Sequence, residues 1–247
     1  MIKLNKIYNE DCLEGMKRIP DKSVDMILCD LPYGTTANKW DSIIPLVPLW
    51  EQYERIIKDK GAIVLTATQP FTTKLISSNM DLFKYTWVWN KKKPGNFMLA
   101  KYQPMKIHED IVVFSKETHN YYPIKTPRKK IKESKNYGFG DNFGNSKNDG
   151  LTRTYMHRNP QSIIEFSNAS QKGKQHPTQK PVPLFEYLIK TYTNEGETVL
   201  DNCMGSGTTA IAAINTNRNF IGFELDETYY TLANERIAKH LLERQGD

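Results

Sequence analysis

Short apolar runs alternate along this chain with segments of helical spacing. Val24–Cys29, Ala62–Thr66, Thr198–Leu200 and Phe220–Phe223 are unbroken apolar or near-apolar stretches, the pattern of strands buried on both faces. Each leaves on a polar or small segment: Asp30, Ala67–Gln69, Asp201 and Glu224. Between them, Phe185, Leu188, Ile189 and Tyr192 recur at i, i+3, i+4 and i+7 and predict a helix over 182–193. Tyr230, Ala233, Ile237 and Leu241 line one face of a C-terminal helix, and residues 207–216 also suit a helix. Strand and helix in alternation predict an α/β fold, a mostly parallel sheet covered on both faces. Leu82–Trp89 and Glu109–Phe114 read as a further strand pair.

Lys116–Gln161 breaks this rhythm with a basic run, Lys125–Lys135, followed by the Gly- and Asn-rich stretch Asn136–Gly150. Little there can build a core, so the stretch reads as a loop-rich insertion on the rim of the sheet. The predicted organisation is a catalytic and cofactor-binding domain from residues 1–115 and 166–247, interrupted by an insertion at 116–165. Charge sharpens the picture. The 247 residues carry a formal charge of +6. Residues 84–135 hold 13 Lys/Arg against four acids, a local +9 that leaves the remainder at −3. A regional excess of that size suits a polyanionic partner.

Composition removes several classes. No apolar run approaches the roughly 18–20 residues that span a bilayer, and Met1–Asp11 lacks a signal pattern, so no membrane partner is expected. The three cysteines, Cys12, Cys29 and Cys203, form no CxxC and have no His at finger spacing. They predict no disulfide framework and no metal site, and a reducing compartment such as the cytoplasm.

Three clusters could carry chemistry. Asp30-Leu31-Pro32-Tyr33-Gly34 follows a strand, at the end where open α/β sheets bind ligands, though Pro and Gly there also suit a plain turn. Asp201-Asn202-Cys203-Met204-Gly205-Ser206-Gly207-Thr208-Thr209 follows a second strand and opens a helix. Its glycines permit close backbone approach, and the helix start offers unpaired N–H groups. It is neither GxGxxG nor a P-loop, since Ala210 stands where the third glycine would be. Glu224 lies 23 residues after Asp201, at the end of the next strand, where an acid can accept both hydroxyls of a ribose. Together these features favour nucleoside binding over a tight turn and a surface acid.

These residues carry a resemblance. The chain resembles the S-adenosylmethionine-dependent DNA amino-methyltransferases, adenine-N6 or cytosine-N4 type, in the circularly permuted beta group. The family tetrapeptide Asp/Asn/Ser-Pro-Pro-Tyr/Phe matches Asp30–Tyr33, and the turn Asp-Pro-Phe-x-Gly-Ser-Gly-Thr-Thr matches Asp201–Thr209. His176-Pro177-Thr178-Gln179-Lys180-Pro181, Asn9–Leu13 and His108–Ile111 match further signatures. The catalytic motif precedes the cofactor turn, as in the beta group, whereas RNA- and protein-directed relatives usually show the reverse order. Leu31, Asn202 and Cys203 depart from the pattern.

The resemblance implies a circularly permuted Rossmann-like sheet, mostly parallel with one antiparallel strand, and S-adenosylmethionine as cofactor. It implies catalysis by Asp30, Pro32 and Tyr33, with Tyr33 stacking on a flipped base. Asp11, with the Cys12 backbone, would read the cofactor's adenine edge, and Glu224 would bind its ribose hydroxyls. Asp201, Gly205, Ser206, Gly207 and Thr208 would surround its methionine part, Lys180 would pair with its carboxylate, and Asp30, Cys203 and Leu225 are further cofactor-binding candidates. Double-stranded DNA is the implied substrate, most favourably at adenine N6. Lys91, Lys92, Lys93, Arg128, Lys129, Lys130 and Lys132 are candidate phosphate contacts, and the insertion is a candidate for choosing the site. A restriction-modification setting in a prokaryotic or phage-infected cell, and a homodimer covering the DNA, belong to the same picture. Cytosine N4, an RNA or protein N-methyltransferase, and a non-enzymatic DNA-binding module remain as alternatives.

Overall fold

The computed structural model describes residues 2–34, 42–135, 150–168 and 179–245. His176–Thr178 of the matched stretch His176–Pro181 lie outside the described residues. Contacts divide the chain into two compact units, Met1–Tyr122 with Ser162–Asp247, and Pro123–Gln161.

The larger unit is an eight-stranded sheet in the order β1-β10-β9-β2-β3-β5-β4-β8. Its strands are β1 Lys6–Asn9, β2 Val24–Asp30, β3 Ile57–Ala67, β4 Phe83–Gly95, β5 Lys106–Phe114, β8 Ile163–Glu165, β9 Thr198–Asp201 and β10 Asn219–Glu224. All neighbouring pairs are parallel except those made by β5, which is antiparallel to both β3 and β4. The four apolar runs are therefore central parallel strands, and the predicted extra pair is β4–β5. The sheet is the mostly parallel one with one antiparallel strand that the resemblance implies.

Period-2 alternation assigns each strand's side chains to two cores. Met26 and Leu28 of β2, with Val64 of β3, face α4 Val182–Tyr192, α5 Thr208–Asn215 and α6 Glu227–Gln245. Ile27 and Cys29, with Ile63 and Leu65, face α1 Cys12–Met16, α2 Leu46–Ile56 and α3 Phe71–Ser78. Each fully buried Leu or Ile contributes about 1.5–3 kcal/mol, so both layers hold the sheet. The core contact of α6 ends at Ile237, and Leu241 is exposed.

The smaller unit corrects two expectations. The basic run pairs as β6 Thr126–Lys135 with β7 Thr152–Arg158 in an antiparallel ribbon, where a loop was expected. Its side chains are mostly exposed, and the few apolar ones, Ile131, Tyr155 and Met156, form no alternating buried face that would announce it. The boundaries also move inward. Residues 116–122 and 162–165 belong with the large sheet, because Tyr122 bonds Thr191 and β8 pairs with β4.

Gly15 of α1 sets how closely that helix approaches β10. A Cβ there would lie 2.2 Å from Cε1 of the fully buried Phe223, beside Glu224. Gly15→Ala should therefore lower stability by about 1–3 kcal/mol through overpacking. Urea unfolding checks this: a variant as stable as wild type would show that α1 can shift without cost.

Candidate active site

Three parallel strands deliver three carboxylates to one edge of the sheet. β2 ends at Asp30, β9 at Asp201 and β10 at Glu224. β2 and β9 are adjacent through Met26↔Val199 and Ile27↔Leu200, so the two motif strands meet where the strand order reverses. The carboxylates line a cavity of about 690 Å³. Pro32, Tyr33 and Lys180 form its wall beside Asp30, and Asp11, Cys12 and Leu225 form its wall beside Glu224. Cys203, Gly205, Ser206 and Thr208 line it from the turn after β9.

Asp30 is held from three directions. Its Oδ1 accepts the Tyr33 hydroxyl at 2.7 Å and the hydroxyl of buried Thr66 on β3. Its Oδ2 accepts Lys180 Nζ at 2.6 Å. Oδ1 is thus filled, whereas Oδ2 accepts one bond and can accept a second, and Asp30 lines the cavity. Lys180 is 8% exposed. Burial alone would push its ammonium pKa down, but facing Asp30 and Glu109 the group ends above its ordinary range. Its charge lies between two carboxylates of the chain, with Glu109 Oε2 at 3.6 Å.

Tyr33 is fixed by its hydroxyl to Asp30 and Thr66, and its ring packs 5.3 Å from Phe71, tilted by 31°. The aromatic surface thereby stands beside the carboxylate.

On the other side, Glu224 accepts the Gly205 N–H at 2.7 Å through Oε2 and the Asp226 N–H at 2.9 Å through Oε1. Burial raises its pKa, and these two bonds partly offset the rise. Asp201 is buried, accepts the Cys203 N–H and the Thr209 hydroxyl, and is nevertheless pushed up to about 6, first by desolvation. Gly205 and Gly207 have φ of +53° and +80°, a region that favours glycine. Gly207 supports the turn from behind, where a Cβ would meet that of Ala233 at 3.2 Å. Asp11 commits Oδ1 to capping α1 through the N–H groups of Leu13 and Glu14.

The two departures in the turn are accommodated locally. Asn202 accepts the Tyr53 hydroxyl, and its amide lies 3.5 Å from both Cys12 Sγ and Cys203 Sγ. The Cys12 thiol is held up, chiefly by its hydrogen bond to Cys203, and burial pushes Cys29 up to about 12. The Cys203 thiol is likewise held well above its ordinary range, so all three cysteines favour the neutral thiol over the nucleophilic thiolate.

The basic candidates divide. Lys91 is largely buried. Period-2 alternation turns it inward with Trp89, and its Nζ pairs with Glu109 Oε1 at 3.0 Å on the cavity wall. Lys92 is exposed, with φ of +63°, and pairs with Glu165, while Lys93 is exposed. In the smaller unit Lys129, Lys130 and Lys132 are exposed, and Arg128 donates to the His157 carbonyl. Thr66, in a plain apolar run, carried no sequence signal for its role, and Glu109, within the matched stretch His108–Ile111, was given none although it is held between two lysines.

A family model described as DNA methylase matches residues 24–235. The chain belongs to the DNA methylase family. M1.MboII of Moraxella bovis, a type II methyltransferase, is 30% identical over 95% of this chain and 96% of its own length. The type II methyltransferase M.HpaI of Haemophilus parainfluenzae is 26% identical over 94% of this chain and 74% of its own length. The crystal structure of the M1.HpyAVI–SAM complex shares the fold with a TM-score of 0.64 and 24% identity, over 94% of this chain and 98% of that one. The cytosine-N4-specific PvuII methyltransferase reaches 0.68 at 15% identity, over 93% and 84%. This methylase therefore places its matched motifs on the strand ends that border one cavity.

The raised Asp201 pKa has a consequence for stability. The folded state holds a proton at pH values where the unfolded carboxyl, near 3.8, has lost it. Stability from this group is therefore present below pH 3.8 and lost as pH rises through about 6, a difference of roughly 3 kcal/mol. Asp201→Asn should remove that decline. Urea melts of both proteins from pH 4 to 7 read it, and parallel pH profiles would contradict it.

Proposed function

We propose that this DNA methylase transfers a methyl group from S-adenosylmethionine to the exocyclic amine of a base flipped out of duplex DNA, with adenine N6 as the target. The observation that carries the reading is Asp30, an anchored carboxylate on the wall of the cavity that the glycine turn and Glu224 also line.

The donor set fits the cofactor. Each Glu224 oxygen already accepts one backbone N–H and has a second lone pair for a ribose hydroxyl. Asp11 and Cys12 lie on the wall beside it, where an adenine edge would be read, and Gly205, Ser206 and Thr208 would flank the methionine part. When bound, S-adenosylmethionine supplies an electrophilic methyl on a sulfonium.

An exocyclic amine is a poor nucleophile because its lone pair is delocalised into the ring. Asp30 Oδ2 accepts one amine N–H and the Pro32 carbonyl the other, which favours the pyramidal nitrogen needed for attack. Lys180 Nζ stands beside that acceptor and offers a donor to the neighbouring ring nitrogen. Acceptor next to donor matches the amidine edge shared by adenine and cytosine. It mismatches guanine and thymine, which carry a carbonyl there. Tyr33, fixed through its hydroxyl, offers its ring to the flipped base. Asp as the first residue of the tetrapeptide supports adenine, since the cytosine-N4 relatives more often carry Ser there.

Two variants test this. Asp30→Ala should lower methyl transfer to DNA by about 10²–10³-fold while keeping cofactor affinity within a few-fold. Glu224→Ala should weaken S-adenosylmethionine binding at least tenfold in calorimetry. Full activity in Asp30→Ala would remove it from the mechanism, and unchanged affinity in Glu224→Ala would remove Glu224 from the cofactor site.

A further inference from the structure

β4 and β5 continue past the cavity that Trp89, Lys91 and Glu109 line, and join through residues 96–105. This tip is ordered by its own backbone. Asn96 takes a left-handed φ of +60°, Phe97–Leu99 form a 3-10 turn, and the Tyr102 and Gln103 N–H groups donate to the Leu99 carbonyl. Its side chains point away from any core. Phe97 is 78% exposed, Met98 79% and Tyr102 86%. An ordered loop that holds large apolar side chains in water marks a surface with a partner.

Charge narrows the choice of partner. Residues 91–107 contain five lysines and no acid. Lys93 and Lys101 are exposed around the apolar tip. Lysines beside an apolar tip suit an anionic lipid surface as well as DNA. Membership of the DNA methylase family decides for duplex DNA, which offers phosphates for the lysines and stacked bases for the apolar tip. Apolar side chains inserted between base steps unstack and kink a duplex. The tip also grows from β4 and β5, the strands that carry Trp89, Lys91 and Glu109 on the cavity wall.

We propose that Phe97, Met98 and Tyr102 form a wedge that enters the duplex beside the target base and holds it out of the stack, with Lys93 and Lys101 on the flanking phosphates. This rests on the DNA amino-methylation proposed above. The wedge lowers the cost of unpairing, so its contribution vanishes when the target has no pairing partner.

The test uses the full-length triple variant Phe97→Ser, Met98→Ser, Tyr102→Ser. The probe is a duplex oligonucleotide built on the site that sequencing of wild-type-modified plasmid identifies, with 2-aminopurine at the target position for flipping. Wild type should raise 2-aminopurine fluorescence. The variant should lose that rise and at least tenfold of kcat/KM on the matched duplex, keep S-adenosylmethionine affinity, and recover to within about threefold of wild type when an abasic site faces the target. Unchanged kcat/KM on matched duplex would overturn the wedge alone. So would an equal loss on matched and abasic-opposed duplexes, or a loss explained by dissociation of a dimer in sedimentation. A wild-type protein that methylates no DNA would overturn this proposal together with the function on which it rests.

Discussion

The short parallel pairing of β2 with β9 is the constraint on which the site depends. Met26 faces Val199 and Ile27 faces Leu200, although more than 170 positions separate them in the chain. That register brings Asp30 and Asp201 to the same sheet edge and opens the cavity between them. Burial on both faces fixes the register, because a slip of one residue would exchange every side chain between the two cores. Two motifs far apart in sequence become one site through packing, before any specific hydrogen bond is made.

Around that edge the chain spends stability on electrostatics. Asp201 is buried at a raised pKa, Lys180 is buried between Asp30 and Glu109, and Glu224 depends on two backbone N–H groups. Groups held this way need little reorganisation when a ligand arrives, which is the advantage of a preorganised site. The cost is borne by the cores on either face.

Much of this was legible in the chain. Strand ends, the two-glycine turn and Glu224 could be placed because each follows an apolar run whose length and neighbours define a buried strand. What stayed hidden depends on tertiary contact or on weak alternation. Thr66 ends an ordinary strand, and only the β2–β3 register sets it against Asp30. Lys91 stands in a run of three lysines, and only the period-2 phase of Trp87 and Trp89 shows that it turns inward. β6 has no alternating apolar face, so a paired strand and a charged loop look alike in sequence. The apolar residues of the tip at 96–105 face water, which no pattern in the sequence announces.

The central claim is that an anchored carboxylate, with no covalent nucleophile, directs methylation to an exocyclic amine. Nucleoside mass spectrometry of duplex DNA incubated with the protein and S-adenosylmethionine tests it most directly. The account predicts N6-methyldeoxyadenosine as the product. Methyl groups on cytosine carbon 5 would contradict it, because that chemistry needs a nucleophile attacking the ring, and Asp30 and its neighbours provide an acceptor instead.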